Sequence, residues 1–124
     1  MKQVDKISVN ELQKKLKSGF RISRTRWAQF SFDEQMGNIG SEVGRAISAE
    51  RRGDEKSKNG AILQGLDLLD ATTEGLVKQK SPKLREVLLA RDQFLALFYD
   101  NNFADADKLE NYFMQFAVAA RSGR

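Results

Sequence analysis

The apolar residues Phe32, Met36, Ile39, Val43 and Ile47 recur in alternating steps of four and three. They therefore line one side of a helix over about residues 32 to 51. The same rhythm in Ile62, Leu66, Leu69, Thr73 and Leu76, widened by Leu63 and Val77, predicts a helix over about 56 to 78. Leu84, Val87, Leu88, Phe94, Leu95 and Phe98 predict another over about 82 to 99, and Leu109, Tyr112, Phe113, Phe116, Ala117 and Ala120 a last one over about 105 to 121. Nearer the N-terminus, Val9, Leu12 and Leu16 share a face opposite lysines and predict a short helix over about 9 to 17. Four long amphipathic helices with short links predict an all-α fold: an antiparallel up-down four-helix bundle over 27–124, preceded by a basic N-terminal helix and arm over 1–26. A repeat period near 34 to 40 residues would indicate a solenoid, but the two halves share only amphipathicity.

Local signals mark where these elements begin and stop. Ser8-Val-Asn-Glu11 and Ser31-Phe-Asp-Glu34 have the form of capping boxes. Gly19 should end the first helix, and Arg51-Arg-Gly-Asp54 the central one, with Asp54 or Ser57 capping the next. Ser81-Pro82 places a serine cap before a proline at the first helical position. Asn101-Asn102 is a stop, after which Asp105 or Asp107 restarts the chain. Phe20 to Trp27 alternates like an extended segment and reads as a linker or arm, or as half of a two-stranded ribbon completed by a second subunit. Trp27 and Phe30 are placed to pack back on the first turn of the central helix.

Small residues run beside the apolar stripe of that central helix: Gly37, Gly40, Ser41, Gly44 and Ser48. Each glycine inside a helix costs roughly 1 kcal/mol relative to alanine. Close approach of another helix would offset that cost; room for a ligand or a dimer partner is the alternative. The spacing resembles that of membrane helix pairs, but Asp33, Glu34, Glu42 and Arg45 on the same helix exclude a membrane span.

Charge sharpens the picture. The net charge is +4, yet residues 1 to 26 carry eight basic and two acidic residues, and the rest thirteen basic and fifteen acidic. Such a basic arm suits nucleic acid, or docking on an acidic face of its own body. The chain has no histidine and no cysteine, which removes the commonest general base, nucleophile pairs built on either residue, and imidazole or thiolate metal sites. A metal would have to be oxygen-ligated, such as magnesium; no cofactor is expected. The charged start lacks a signal-peptide pattern and the longest apolar run is Phe94 to Tyr99, so a soluble cytoplasmic protein without membrane attachment is expected.

Three groups of polar residues are candidate sites. Asn38, Glu42 and Arg45, at i, i+4 and i+7, can form a polar site; alternatively Glu42 and Arg45 are an exposed ion pair. Asp67, Asp70 and Glu74 make an acidic stripe able to hold magnesium, with Glu42 as a further ligand of a metal-dependent enzyme. The alternatives are a solvated face, or pairing with Arg85, Arg91 or the basic arm. Arg21, Arg24, Arg26 and Trp27, with Phe20, mix cations and aromatics as single-stranded nucleic-acid binders do, and Lys78, Lys80, Lys83 and Arg85 extend that footprint. The alternative is that Phe20, Ile22 and Trp27 anchor the core while the arginines are solvated.

Asn38-Ile-Gly-Ser-Glu-Val-Gly-Arg-Ala46, Leu66-Asp-Leu-Leu-Asp70 with Leu84-Arg-Glu-Val-Leu88, and Asn111-Tyr-Phe-Met-Gln-Phe-Ala-Val-Ala-Ala-Arg121 together resemble a family of small uncharacterised prokaryotic helical proteins. The resemblance spans about residues 27 to 121 and implies a helical bundle without an activity. The architecture is also similar to HEPN-type bundles, whose active ribonucleases use an arginine followed closely by histidine. That motif is impossible here, so the similarity implies a non-catalytic relative that binds a partner or nucleic acid. The expectation from sequence is a non-enzymatic interaction protein, homodimeric, with nucleic-acid binding through the arm as the alternative.

Overall fold

The computed structural model describes residues 21–122, and all its regular structure is helical. The expected helix at 9–17 and its cap lie outside the described residues. A short helix, α1 (Arg24–Trp27), leads into four long ones: α2 (Phe32–Arg51), α3 (Glu55–Lys78), α4 (Leu84–Tyr99) and α5 (Ala106–Ser122). A single 3₁₀ turn, Phe103–Asp105, precedes α5. No strand occurs among the described residues, and Arg24–Trp27 is helical where the alternation over Phe20 to Trp27 predicts an extended segment; Phe20 lies outside the described residues. Ser23 caps α1 by accepting from the Arg26 amide, which turns the expected extended arm into a helical one.

The start of α2 follows from its sequence. Ser31 Oγ accepts from the Glu34 amide at 3.1 Å while the Ser31 amide donates to Glu34 Oε1 at 2.8 Å. Ser31→Ala is therefore expected to cost about 1 kcal/mol, or roughly 4 °C in Tm, by thermal denaturation. Asp54 caps α3 through the Ser57 amide. Ser81-Pro82 does mark the start of the third long segment, but α4 proper begins at Leu84. The first turn is wound tighter, with the Leu84 amide donating to the Ser81 carbonyl three residues back and the Lys83 amide to Ser81 Oγ. Left-handed backbone at Gly53, Lys80 and Asn101 follows α2, α3 and α4 respectively.

Met36, Ile39, Val43, Ile47, Ile62, Leu66, Leu69, Val87 and Phe94 are all fully buried and form the core, as their periodicity predicts. Two expected members are not inside: Val77 is 55 % exposed and Leu88 42 %. Each sits at the margin of its apolar stripe, where the face turns outward. Small residues the stripe did not include, Ala46, Ala61, Ala71, Ala90 and Ala106, fill the core between the larger side chains.

Polar contacts join neighbouring helices. Lys58 meets Glu50 across α2 and α3, and Asp70 meets Arg91 across α3 and α4. Tyr112 donates to Glu86 across α4 and α5, and Arg51 meets Asp107 across α2 and α5. In α2 and α5, Gly37 lies by Ala117, Gly40 by Phe113 and Gly44 by Glu110, so the two run antiparallel. The small-residue face of α2 thus packs on the last helix of the same chain. A β-carbon on Gly40 would sit 2.6 Å from Phe113 Cβ, and one on Gly37 3.2 Å from Ala117 Cα. Ser41 and Ser48 do not belong to this contact: both are exposed, and they bond the Gly37 carbonyl and the Arg52 guanidinium.

Candidate nucleic-acid interface and the docked arm

The arm is the part of the chain that the structure most changes. Trp27, the only tryptophan, is 3 % exposed, and its Nε1 donates to Thr72 Oγ1 of α3 at 2.9 Å. It is a core anchor rather than an exposed stacking residue. Gln35 of α2 closes the corner by donating to the Trp27 carbonyl. Upstream, the buried carboxylate of Asp67 accepts from the Ile22 amide at 2.6 Å and from Arg24 Nη1 at 2.8 Å, with Arg21 Nε 3.5 Å away. Glu74 accepts from Arg24 Nε and Nη2, both at 3.2 Å, and from Arg21.

The acidic stripe is therefore a receptor for the arm, with Asp70 taken separately by Arg91. Asp67 and Glu74 are bound to arginines, Glu42 pairs with Arg45, and no three carboxylates gather in a metal-holding group among the described residues. Magnesium held by Asp67, Asp70 and Glu42 has no geometry here. The pairings also set proton affinities. Hydrogen bonding from Arg24 holds Glu74 below the usual glutamate value of 4.5, and burial pushes Asp70 up despite Arg91. Because the docked arm lowers Glu74, chiefly through the hydrogen bond from Arg24, docking is supported above the usual glutamate value of 4.5 and weakens as pH falls through the lowered value. Asp70 has the opposite sign but does not touch the arm. Trp27 emission should shift to the red below that pH, and the Glu74→Gln variant should show a smaller pH-dependent change.

The polar candidates on α2 separate. Glu42 and Arg45 form an i, i+3 ion pair on an open depression between α2 and α3 that also includes Ser48, Ser57 and Gly60. Asn38 is exposed and does not line it.

The second half of the predicted cationic footprint is differently placed. Lys78, Lys80, Lys83 and Arg85 are all exposed at the turn from α3 to α4, and none pairs with a carboxylate among the described residues. Lys83 Nζ lies 4.6 Å from the ring centroid of Phe32 at the start of α2. Lys78 and Gln79 border a cleft of about 230 Å³ between the arm and α3. It is lined by Trp27, Phe30 and Phe32 from the arm and the start of α2, by Ala71, Thr72, Gly75 and Leu76 of α3, and by the paired Arg24 and Glu74. Phe30 is 44 % exposed and meets Trp27 edge to face. Arg26 is exposed on the same short helix.

Sequence reasoning missed two features. Lys58 is 2 % exposed, with its Nζ 2.8 Å from both Glu50 and Glu55. Burial alone would lower its proton affinity, but the two carboxylates raise it. The lysine sits on the α3 face turned to the core, and only its spacing from Ile62 and Leu66 hinted at that. Gly75 lining the cleft is the other, signalled only by its lying off the apolar face. No described helix is long and apolar enough to cross a membrane. Comparison with protein-family models, with curated proteins and with solved structures gives no match.

Proposed function

We propose that this chain is a non-enzymatic helical interaction protein whose partner is single-stranded nucleic acid, bound at the end where α3 turns into α4. On this reading α2 to α5 form an antiparallel up-and-down four-helix bundle, an arrangement supported by the contacts of each helix with the next and by the antiparallel run of α2 against α5. The observation that carries the proposal is the set Lys78, Lys80, Lys83 and Arg85: four exposed cations with no carboxylate partner among the described residues, of which Lys78 borders the same cleft as the exposed ring of Phe30. Arg21 and Arg24 contribute little, because Asp67 and Glu74 already neutralise them. The lysines at positions 2, 6, 14, 15 and 17 add positive charge to the same chain.

Four phosphate contacts on a single strand give a log–log salt slope near −3, or about 50-fold weaker binding between 50 and 200 mM salt. Fluorescence anisotropy of a labelled thymidine oligonucleotide measures it. A slope near −3 supports the proposal, and absence of binding at 50 mM salt removes it.

A homodimer is the second reading, but not through the glycine face, which α5 covers. Leu88, Leu89, Met114 and Val118 are 42–57 % exposed on α4 and α5, the least closely joined neighbours among the long helices. Apolar side chains of this kind suit a second copy. Sedimentation showing only monomer at micromolar concentration excludes this reading.

A further inference from the structure

Gly75 lies inside a 24-residue helix, where glycine is an unfavourable choice, yet nothing packs against it: a β-carbon there would meet no atom within 4 Å. The contrast is with Gly40 and Gly65, whose β-carbons would strike Phe113 and Phe94. Packing explains those two and explains neither Gly75 nor Gly60; of these, only Gly75 borders the cleft beside the arm. The space above Gly75 is the cleft between the arm and α3.

The chemistry around that space is specific. Phe30 offers a partly exposed ring at the wall, and Phe32 and Leu76 add apolar surface. Gln79 brings an amide to the edge. Lys78 stands on the rim, with Lys83 just beyond over Phe32. The one carboxylate on the rim, Glu74, is bound by Arg24, which screens it from an incoming anion. Aromatic rings, an amide and neighbouring cations match a planar heterocycle carrying a phosphate.

We propose that this cleft seats one nucleobase of the bound strand, with Gly75 kept bare so that the base can lie over the α3 backbone and Lys78 taking the adjoining phosphate. The inference rests on the nucleic-acid reading above and adds to it a defined base site. It also gives the docked arm a purpose, since Trp27 and Phe30 form one wall only while Asp67 and Glu74 hold the arm in place.

The test uses the full chain, adenosine monophosphate as the probe, and the thymidine oligonucleotide in parallel. The nucleotide should quench Trp27 emission saturably in the wild-type protein. Gly75→Leu fills the cleft with a good helix former and should weaken that binding at least tenfold, with Tm unchanged or raised. Gly75→Ala should act in the same direction more weakly, which covers the case that the leucine variant folds poorly. Gly60→Leu, also at a site with no neighbour and remote from the cleft, should bind as wild type. If the oligonucleotide binds with its salt dependence but the nucleotide does not, or if the Gly75 variants bind it as wild type, the base site is wrong and the cationic end stands. If neither ligand binds, both proposals fall.

Discussion

Gly40→Ala is expected to destabilise the protein, whereas Gly60→Ala, one helix away, stabilises it. Replacing a helical glycine by alanine normally gains about 1 kcal/mol. At Gly60 nothing lies within 4 Å of the new methyl group, so the gain is realised. At Gly40 the methyl carbon would sit 2.6 Å from Phe113 Cβ, and Phe113 is 1 % exposed. That atom is fixed to the α5 backbone and cannot swing aside as a ring tip can. The two helices must separate, and overpacking of this kind typically costs about 1–3 kcal/mol. Gly40→Leu should exceed that range. Chemical denaturation of the pair of alanine variants gives ΔΔG values of opposite sign if α2 lies on α5 as described.

The second large effect is expected at Asp67. Its carboxylate is buried and accepts from the Ile22 amide and from Arg24. Removing one member of a buried charge pair commonly costs about 3–5 kcal/mol, because its partner is left unsatisfied. Arg24 is partly exposed and retains Glu74, so the lower end of that range applies. The loss falls on docking of the arm before it falls on α2 to α5, since α1 touches little besides α3 and the start of α2. Asp67→Ala should therefore expose Trp27 to solvent, seen as a red-shifted emission, under conditions where far-ultraviolet dichroism still reports intact helices. Asp67→Asn retains an acceptor for the Ile22 amide and should show a smaller shift.

The central helix was readable from sequence to the residue, because a capping box, a four-three apolar stripe and a glycine-containing break all agree on it. The glycines on one flank implied a close neighbour, and α5 is that neighbour. What periodicity cannot supply is which helix comes near, and so the same ridge also suggested a dimer. Trp27 shows the other limit. Next to arginines it reads either as a stacking residue or as a core anchor, and its buried hydrogen bond to Thr72 decides for the anchor. The pairing of Arg21 and Arg24 with Asp67 and Glu74 spans more than forty positions of chain. Matching charges suggested such a pairing among other readings, but the sequence carries no distance with which to choose. Val77 and Leu88 were misplaced because a stripe's margin depends on how closely the next helix approaches.

Removing residues 1 to 26 would test the arm poorly, since it would strip Asp67 and Glu74 of their partners along with the charge. Neutralising the α3–α4 turn is cleaner, because Lys78, Lys80, Lys83 and Arg85 support no ion pair among the described residues. The decisive measurement is oligonucleotide anisotropy at low salt with Lys78, Lys80, Lys83 and Arg85 all changed to glutamine. The account predicts more than tenfold weaker binding, a flattened salt slope and an unchanged Tm. Undiminished binding by that variant, with the loss appearing instead when Arg21 and Arg24 are neutralised, would contradict it.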